Sequence, residues 1–209
     1  MGMFGKSGRQ RTSGTRPAQV PGAGAAGADW SSHTQLEDAV RSYLLHPDVA
    51  LEALGSVLGR RPVRGFTLER VVDINANGTS VWQEAAVCDD RRLVLWHSED
   101  MTDPSAPGGT VLDSSVQVIP LGSVSHVGIR TLVGTDTDGE RQLRGAFVFL
   151  ATPTLQEVAT VRGEDGTSTG RFRQEAYRFS KSLEDGGPGQ IRRLLEFAEV
   201  IAARVPGPR

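Results

Sequence analysis

Four histidines, His33, His46, His97 and His126, are the side chains of this chain best suited to moving a proton or holding a metal near neutral pH. Two-metal phosphate hydrolysis needs several His, Asp or Asn ligands converging on ions about 4 Å apart. No histidine here begins a His-Asp pair, a His-x-His or a His-x-Lys, and no two form paired His-x-Ser/Thr units. His97 and His126 fall in strand-like segments and could meet across a sheet; the bland alternative is a pair of surface or hydrogen-bonded neutral imidazoles. Asp136, Asp138 and Glu140 alternate around Gly139. An EF-hand loop needs more ligands and a distant bidentate glutamate, so a hairpin turn is the better reading. Cys88 has no adjacent base and no second cysteine, and is expected to be a small buried hydrophobe. The glycine-rich stretches 22–27 and 186–189 lack the Lys and Ser/Thr of a phosphate loop and read as linkers.

The chain that must position these groups has 209 residues, room for one mid-sized domain with appendages. Its net charge of -2 and 38% hydrophobic content are those of an ordinary globular chain. A single cysteine excludes an internal disulfide and a cysteine-rich zinc site. No run reaches the roughly 20 apolar residues of a membrane helix, so no membrane insertion is expected. The basic N-terminus has no apolar core behind it, so no secretory leader is expected and the expected location is cytoplasmic. Of the 23 basic residues only Lys6 and Lys181 are lysine. With 25 glycines, that skew reads as codon bias in a GC-rich bacterial genome rather than as phosphate recognition.

Residues 1–30 read as a disordered tail. The first 28 hold seven glycines and four bases (Lys6, Arg9, Arg11, Arg16) with no acid, too little apolar surface to offset ordering entropy. A helical extension follows over 31–60. Ser32 and Gln35 have capping-box spacing, and Leu36, Ala39, Val40, Tyr43 and Leu44 recur at helical intervals. His46-Pro47 breaks that helix, and Pro47 opens a second with Val49, Leu51, Leu54, Val57 and Leu58 on its apolar positions. From 61 to 205 the pattern predicts strands over 64–74, 79–88, 91–97, 115–120, 123–133, 142–151 and 171–180. Asn77-Gly78, Asp89-Asp90, Asp138-Gly139 and Asp165-Gly166 supply turns. Residues 154–162 fit either another strand or part of a long loop. A last helix spans 190–205, with Ile191, Leu194, Leu195, Ala198, Ile201, Ala202 and Val205 in one stripe.

Seven strands followed by one amphipathic helix resembles a pleckstrin-homology-like (PH-like) domain. Asp90-Arg91-Arg92-Leu93-Val94-Leu95-Trp96 is similar to the third-strand signature of bacterial PH-like and GRAM-like domains. Val118-Ile119-Pro120-Leu121-Gly122-Ser123-Val124, with Val127 after it, is similar to a second segment of theirs. The resemblance covers about residues 62 to 205. It implies an α+β fold: a seven-stranded bent sheet or partial barrel capped by a C-terminal helix, here with a two-helix N-terminal extension. The whole chain also resembles an uncharacterised actinobacterial family, some of whose members bear a phosphodiesterase label; that family supplies no catalytic residue to carry over.

In the PH-like layout, loops surround a lipid-headgroup site. Here residues 75–78 carry no charge; residues 98–113 carry Glu99, Asp100, Asp103 and Asp113; residues 152–170 carry Glu157, Glu164 and Asp165 against Arg162. That acidic balance disfavours headgroup phosphates. Nucleic-acid binding is not expected either, for want of a basic stripe with interleaved aromatics. The leading expectation is a non-catalytic cytoplasmic interaction module for a protein or peptide, needing no cofactor and no metal. It would work through exposed sheet edges and an apolar face of the extra helices. One alternative is a phosphodiesterase or a phosphate-ester or nucleotide binder, with His97, His126 and the acids of 99–113 as its first candidates. The other is a structural homo-oligomer whose helices 32–58 pair with a second copy.

Overall fold

The computed structural model describes residues 29–206 except 76–77, 104, 106–108 and 163–167. Residues 1–28 of the expected tail 1–30, and the expected turns at Asn77 and Asp165-Gly166, lie outside the described residues. A 3-10 turn, Trp30–Ser32, leads to α1 (Leu36–Tyr43) and α2 (Pro47–Leu58). Seven strands follow: β1 (Gly65–Asn75), β2 (Gly78–Cys88), β3 (Arg92–Thr102), β4 (Thr110–Pro120), β5 (His126–Thr135), β6 (Arg141–Arg162) and β7 (Ser168–Ser182). Helix α3 (Gly187–Ala202) is the last element. The strands pair antiparallel in two sheets, ordered β1-β2-β3-β4 and β5-β6-β7. The chain is therefore α+β, with a C-terminal helix as expected.

Strand alternation divides the molecule into two cores. One face of the first sheet gives Ala86, Cys88, Leu93, Leu95 and Ile119 to a core shared with Ala146, Val148, Leu150 and Phe179 of the second sheet. Ile191, Leu194, Phe197, Ala198 and Ile201 of α3 close it, burying a stripe that neither element could bury alone. The opposite face gives Phe66, Leu68, Ala85, Val87, Val94 and Trp96 to a second core with Trp30, Val40, Tyr43, Leu54 and Leu58. The apolar stripes of the two N-terminal helices are thus covered by the chain's own sheet. They do not form the open docking face that the sequence suggests, although Leu45 and Val49 remain exposed beside them.

Local structure departs from expectation in a few places. Ser32 and Gln35 make no capping box: Gln35 is the N-cap of α1 without a side-chain bond, and Asp29 Oδ1 instead accepts the Ser31 N–H at 2.9 Å. Trp30, placed by the sequence at the end of the tail, is fully buried between Tyr43 and Phe66, and that packing holds the 3-10 turn. Residues 154–162 continue β6, paired with β7 beyond two register shifts. The expected acidic loop 98–113 is mostly ladder, since Glu99 pairs with Asp113 and Thr102 with Thr110.

Candidate functional site

The described residues place the candidate histidines apart. His97 lies on β3, opposite Glu84 of β2 and Ser115 of β4, and its ring stands 5.3 Å from that of Trp82. Register parity puts Glu84, His97, Glu99 and Asp113 on the face that carries Leu93 and Leu95, so the acids of 99–113 and His97 partly share a surface. Asp100 points the other way, 3.5 Å from His46 Nε2. His126 opens β5 on the second sheet, where it faces Phe149 with ring centres 5.8 Å apart. Its neighbours Val127 and Leu150 face the core, so His126 is on the outer surface. The structure does not bring the two imidazoles together. Among the described residues, no group of three His, Cys, Asp or Glu could hold a metal ion.

The acidic triplet, the cysteine and the half-buried Tyr177 take structural roles. Asp136 Oδ1 accepts the N–H groups of Asp138 and Glu140, and Gly139 has φ +83°, which makes a hairpin turn of the triplet. Cys88 is buried, burial pushes its thiol up to about 12, and the thiol donates to the Asp89 carbonyl. Between the sheets, Gln117 Nε2 donates to the Tyr177 hydroxyl at 2.7 Å, and within the second sheet Thr152 Oγ1 donates to Glu175 at 3.1 Å. Burial, followed by the Glu175 carboxylate, raises the pKa of the Tyr177 hydroxyl. This network ties β4 to β6 and β7 and keeps the phenol protonated; it offers no activated nucleophile.

The sheet edges remain. At one corner β1 packs on α1 and α3, and β7 packs on α3. At the other, β4 and β5 each have, among the described residues, a strand on one side alone, joined through the short turn Leu121–Ser123, with α2 touching β4 and α3 touching β5. Much of β4 is committed: Ser114 Oγ accepts from Trp96 Nε1, Val116 packs on the second core, and Gln117 bridges the sheets. By contrast, no described β5 side chain hydrogen-bonds to another element. Its Ile129, Leu132 and Val133 are 47%, 39% and 58% exposed. Proteins ordinarily blunt such an edge with charges, proline or a covering element. Ten residues of β5 carry one full charge, Arg130, and no proline. Sequence reasoning missed this edge because pairing order, not residue type, decides which strand lies outermost. A signal was present in HVGIRTLV, where apolar and polar residues mix on both faces.

Comparison with family models, curated proteins and solved structures found no match to this chain. Among the described residues no helix is long and apolar enough to cross a membrane.

Proposed function

We propose that this chain is a PH-like scaffold acting as a non-catalytic cytoplasmic interaction module, and that it binds an extended peptide segment as an added strand on β5. The observation that carries this reading is the β5 edge, whose outward backbone N–H and C=O groups have no partner strand among the described residues. Strand addition satisfies those groups at once, while alternate side chains of the guest supply specificity. Ile129 and Val133 give the guest apolar surface to cover. Phosphodiester hydrolysis is the weaker reading, because Glu84, His97, Glu99 and Asp113 form adjacent cross-strand pairs on the first sheet while His126, the other candidate imidazole, lies on the second. Pairing of copies through the N-terminal helices is weaker too, since their apolar faces are already covered.

The test is selection of extended peptides from a display library, followed by substitution on the two open edges. Ile129→Asp should weaken a selected peptide at least tenfold, and Val111→Asp on β4 should leave it unchanged. Equal binding by wild type and Ile129→Asp would refute the β5 site.

A further inference from the structure

The outer face of the second sheet bears on what kind of strand the edge accepts, an inference that rests on the β5 reading. Register sets three rows across β5, β6 and β7 there: Arg130, Phe147 and Ser180; Gly128, Phe149 and Arg178; His126, Ala151 and Ala176. Phe147 and Phe149 stand two residues apart on the central strand, about 7 Å along it. The Arg130 guanidinium lies 5.5 Å from the centre of the Phe147 ring, and that of Arg178 lies 5.7 Å from Phe149. His126 approaches Phe149 from the edge. These rows contain two arginines, a histidine and two aromatics, and no acid. Arginine with aromatic side chains is the composition of interface hot spots, and a ring under a guanidinium holds the cation in place.

A strand added to β5 lays alternate side chains beside His126, Gly128 and Arg130 on the outer face. Its intervening side chains fall beside Val127 and Ile129, on the face turned towards the core. Like charges directly opposite are destabilising and opposite charges favourable, so the two faces of β5 ask for different residues. We infer that the partner is an acidic extended segment in which Asp or Glu alternates with aliphatic residues, its carboxylates over the His126–Arg130 end of β5. The acids belong at that end because the far end of β5 runs into the turn that carries Asp136, Asp138 and Glu140, which would repel them.

The experiment uses the full chain and three fluorescent nine-residue probes: a peptide alternating Glu with Val, its Lys counterpart, and a Glu-Val peptide of the same composition with its acids in one block. Anisotropy at low and high salt is read beside hydrogen exchange of the β5 amides. The alternating acidic peptide should bind best, weaken with salt, and slow exchange in residues 126–135. Arg130→Glu should cost it about tenfold and Arg178→Glu less, because Arg178 lies two strands from the edge. Preference for the Lys peptide, or equal binding of all three with β5 protected, would overturn the acidic partner while keeping the edge. Acidic-peptide binding without protection of β5 would overturn the edge reading, and the inference with it. A labelled oligo-dT included as a fourth probe and bound more tightly than any peptide, with equal loss in Arg130→Glu and Arg178→Glu, would overturn the peptide partner and make this face a nucleic-acid surface.

Discussion

Asp89 fastens the turn between β2 and β3. Its side chain is almost fully buried; Oδ1 accepts the N–H groups of Arg91 and Arg92 at 2.7 Å each, and Oδ2 meets the Arg92 guanidinium at 2.7 Å. Burial pushes its pKa up, but the bonds from Arg91 and Arg92 outweigh burial and hold the carboxyl below its ordinary value. Asp89→Asn should cost about 2–3 kcal/mol, read by denaturant unfolding at pH 7. Because the folded-state pKa is depressed, the contribution is complete above the unfolded value near 3.9 and is lost as pH falls through the folded value. The deficit of the variant should therefore hold steady from pH 7 to about 5 and narrow below about 4. Lys181 is the opposite case, a nearly fully buried side chain whose Nζ has no hydrogen-bond partner among the described residues and lies 5.9 Å from the centre of the Tyr43 ring. Lys181→Met keeps the length and removes the desolvation cost, so the melting temperature should rise by a few degrees. A fall would mean that the contact of Nζ with the Tyr43 ring more than offsets the cost of burying it.

Helix α3 joins the two cores to the N-terminal turn. Leu194 is fully buried in the inter-sheet core, and Leu194→Ala should destabilise by about 2–5 kcal/mol. Gly189, in the first turn of α3, lies where a Cβ would collide with Ser31 Oγ. Gly189→Ala should therefore loosen the Trp30–Ser32 turn, which faster exchange at residues 30–33 would reveal. These elements were largely legible in the sequence. Pro47 opened α2 where expected, the stripe from Ile191 to Ile201 marked α3, and the strand segments appeared in order. The failures have physical causes. Ser32 and Gln35 have the spacing of a cap, but the buried Trp30 places Ser32 in a 3-10 turn capped by Asp29, and α1 starts after Gln35 with no side-chain cap. Glu99, Asp100 and Asp113 read as loop because their charges hide strand alternation, whereas the ladder between β3 and β4 tolerates Glu99 and Asp113 on exposed positions and Asp100 half-buried beside His46. His97 and His126 looked able to meet because nothing in a one-dimensional pattern says that they sit on different sheets.

The molecule as a whole turns its helices on itself. α1 and α2 cover one face of the first sheet, α3 closes the space between the sheets, and among the described residues no strand pairs with the outer sides of β4 and β5. A groove lined by Leu51, Leu54, Val63, Phe66, Phe197 and Val200 offers the competing docking surface. Backbone hydrogen exchange distinguishes the two most directly. In the free protein, the β5 amides that point away from β6 should exchange faster than those that pair with it, giving alternating protection along 126–135. With the alternating Glu-Val peptide bound, the fast set should slow while amides around Leu51–Leu58 and Phe197–Val200 stay unchanged. Protection confined to the groove, with β5 still exchanging as in the free protein, would contradict strand addition at β5.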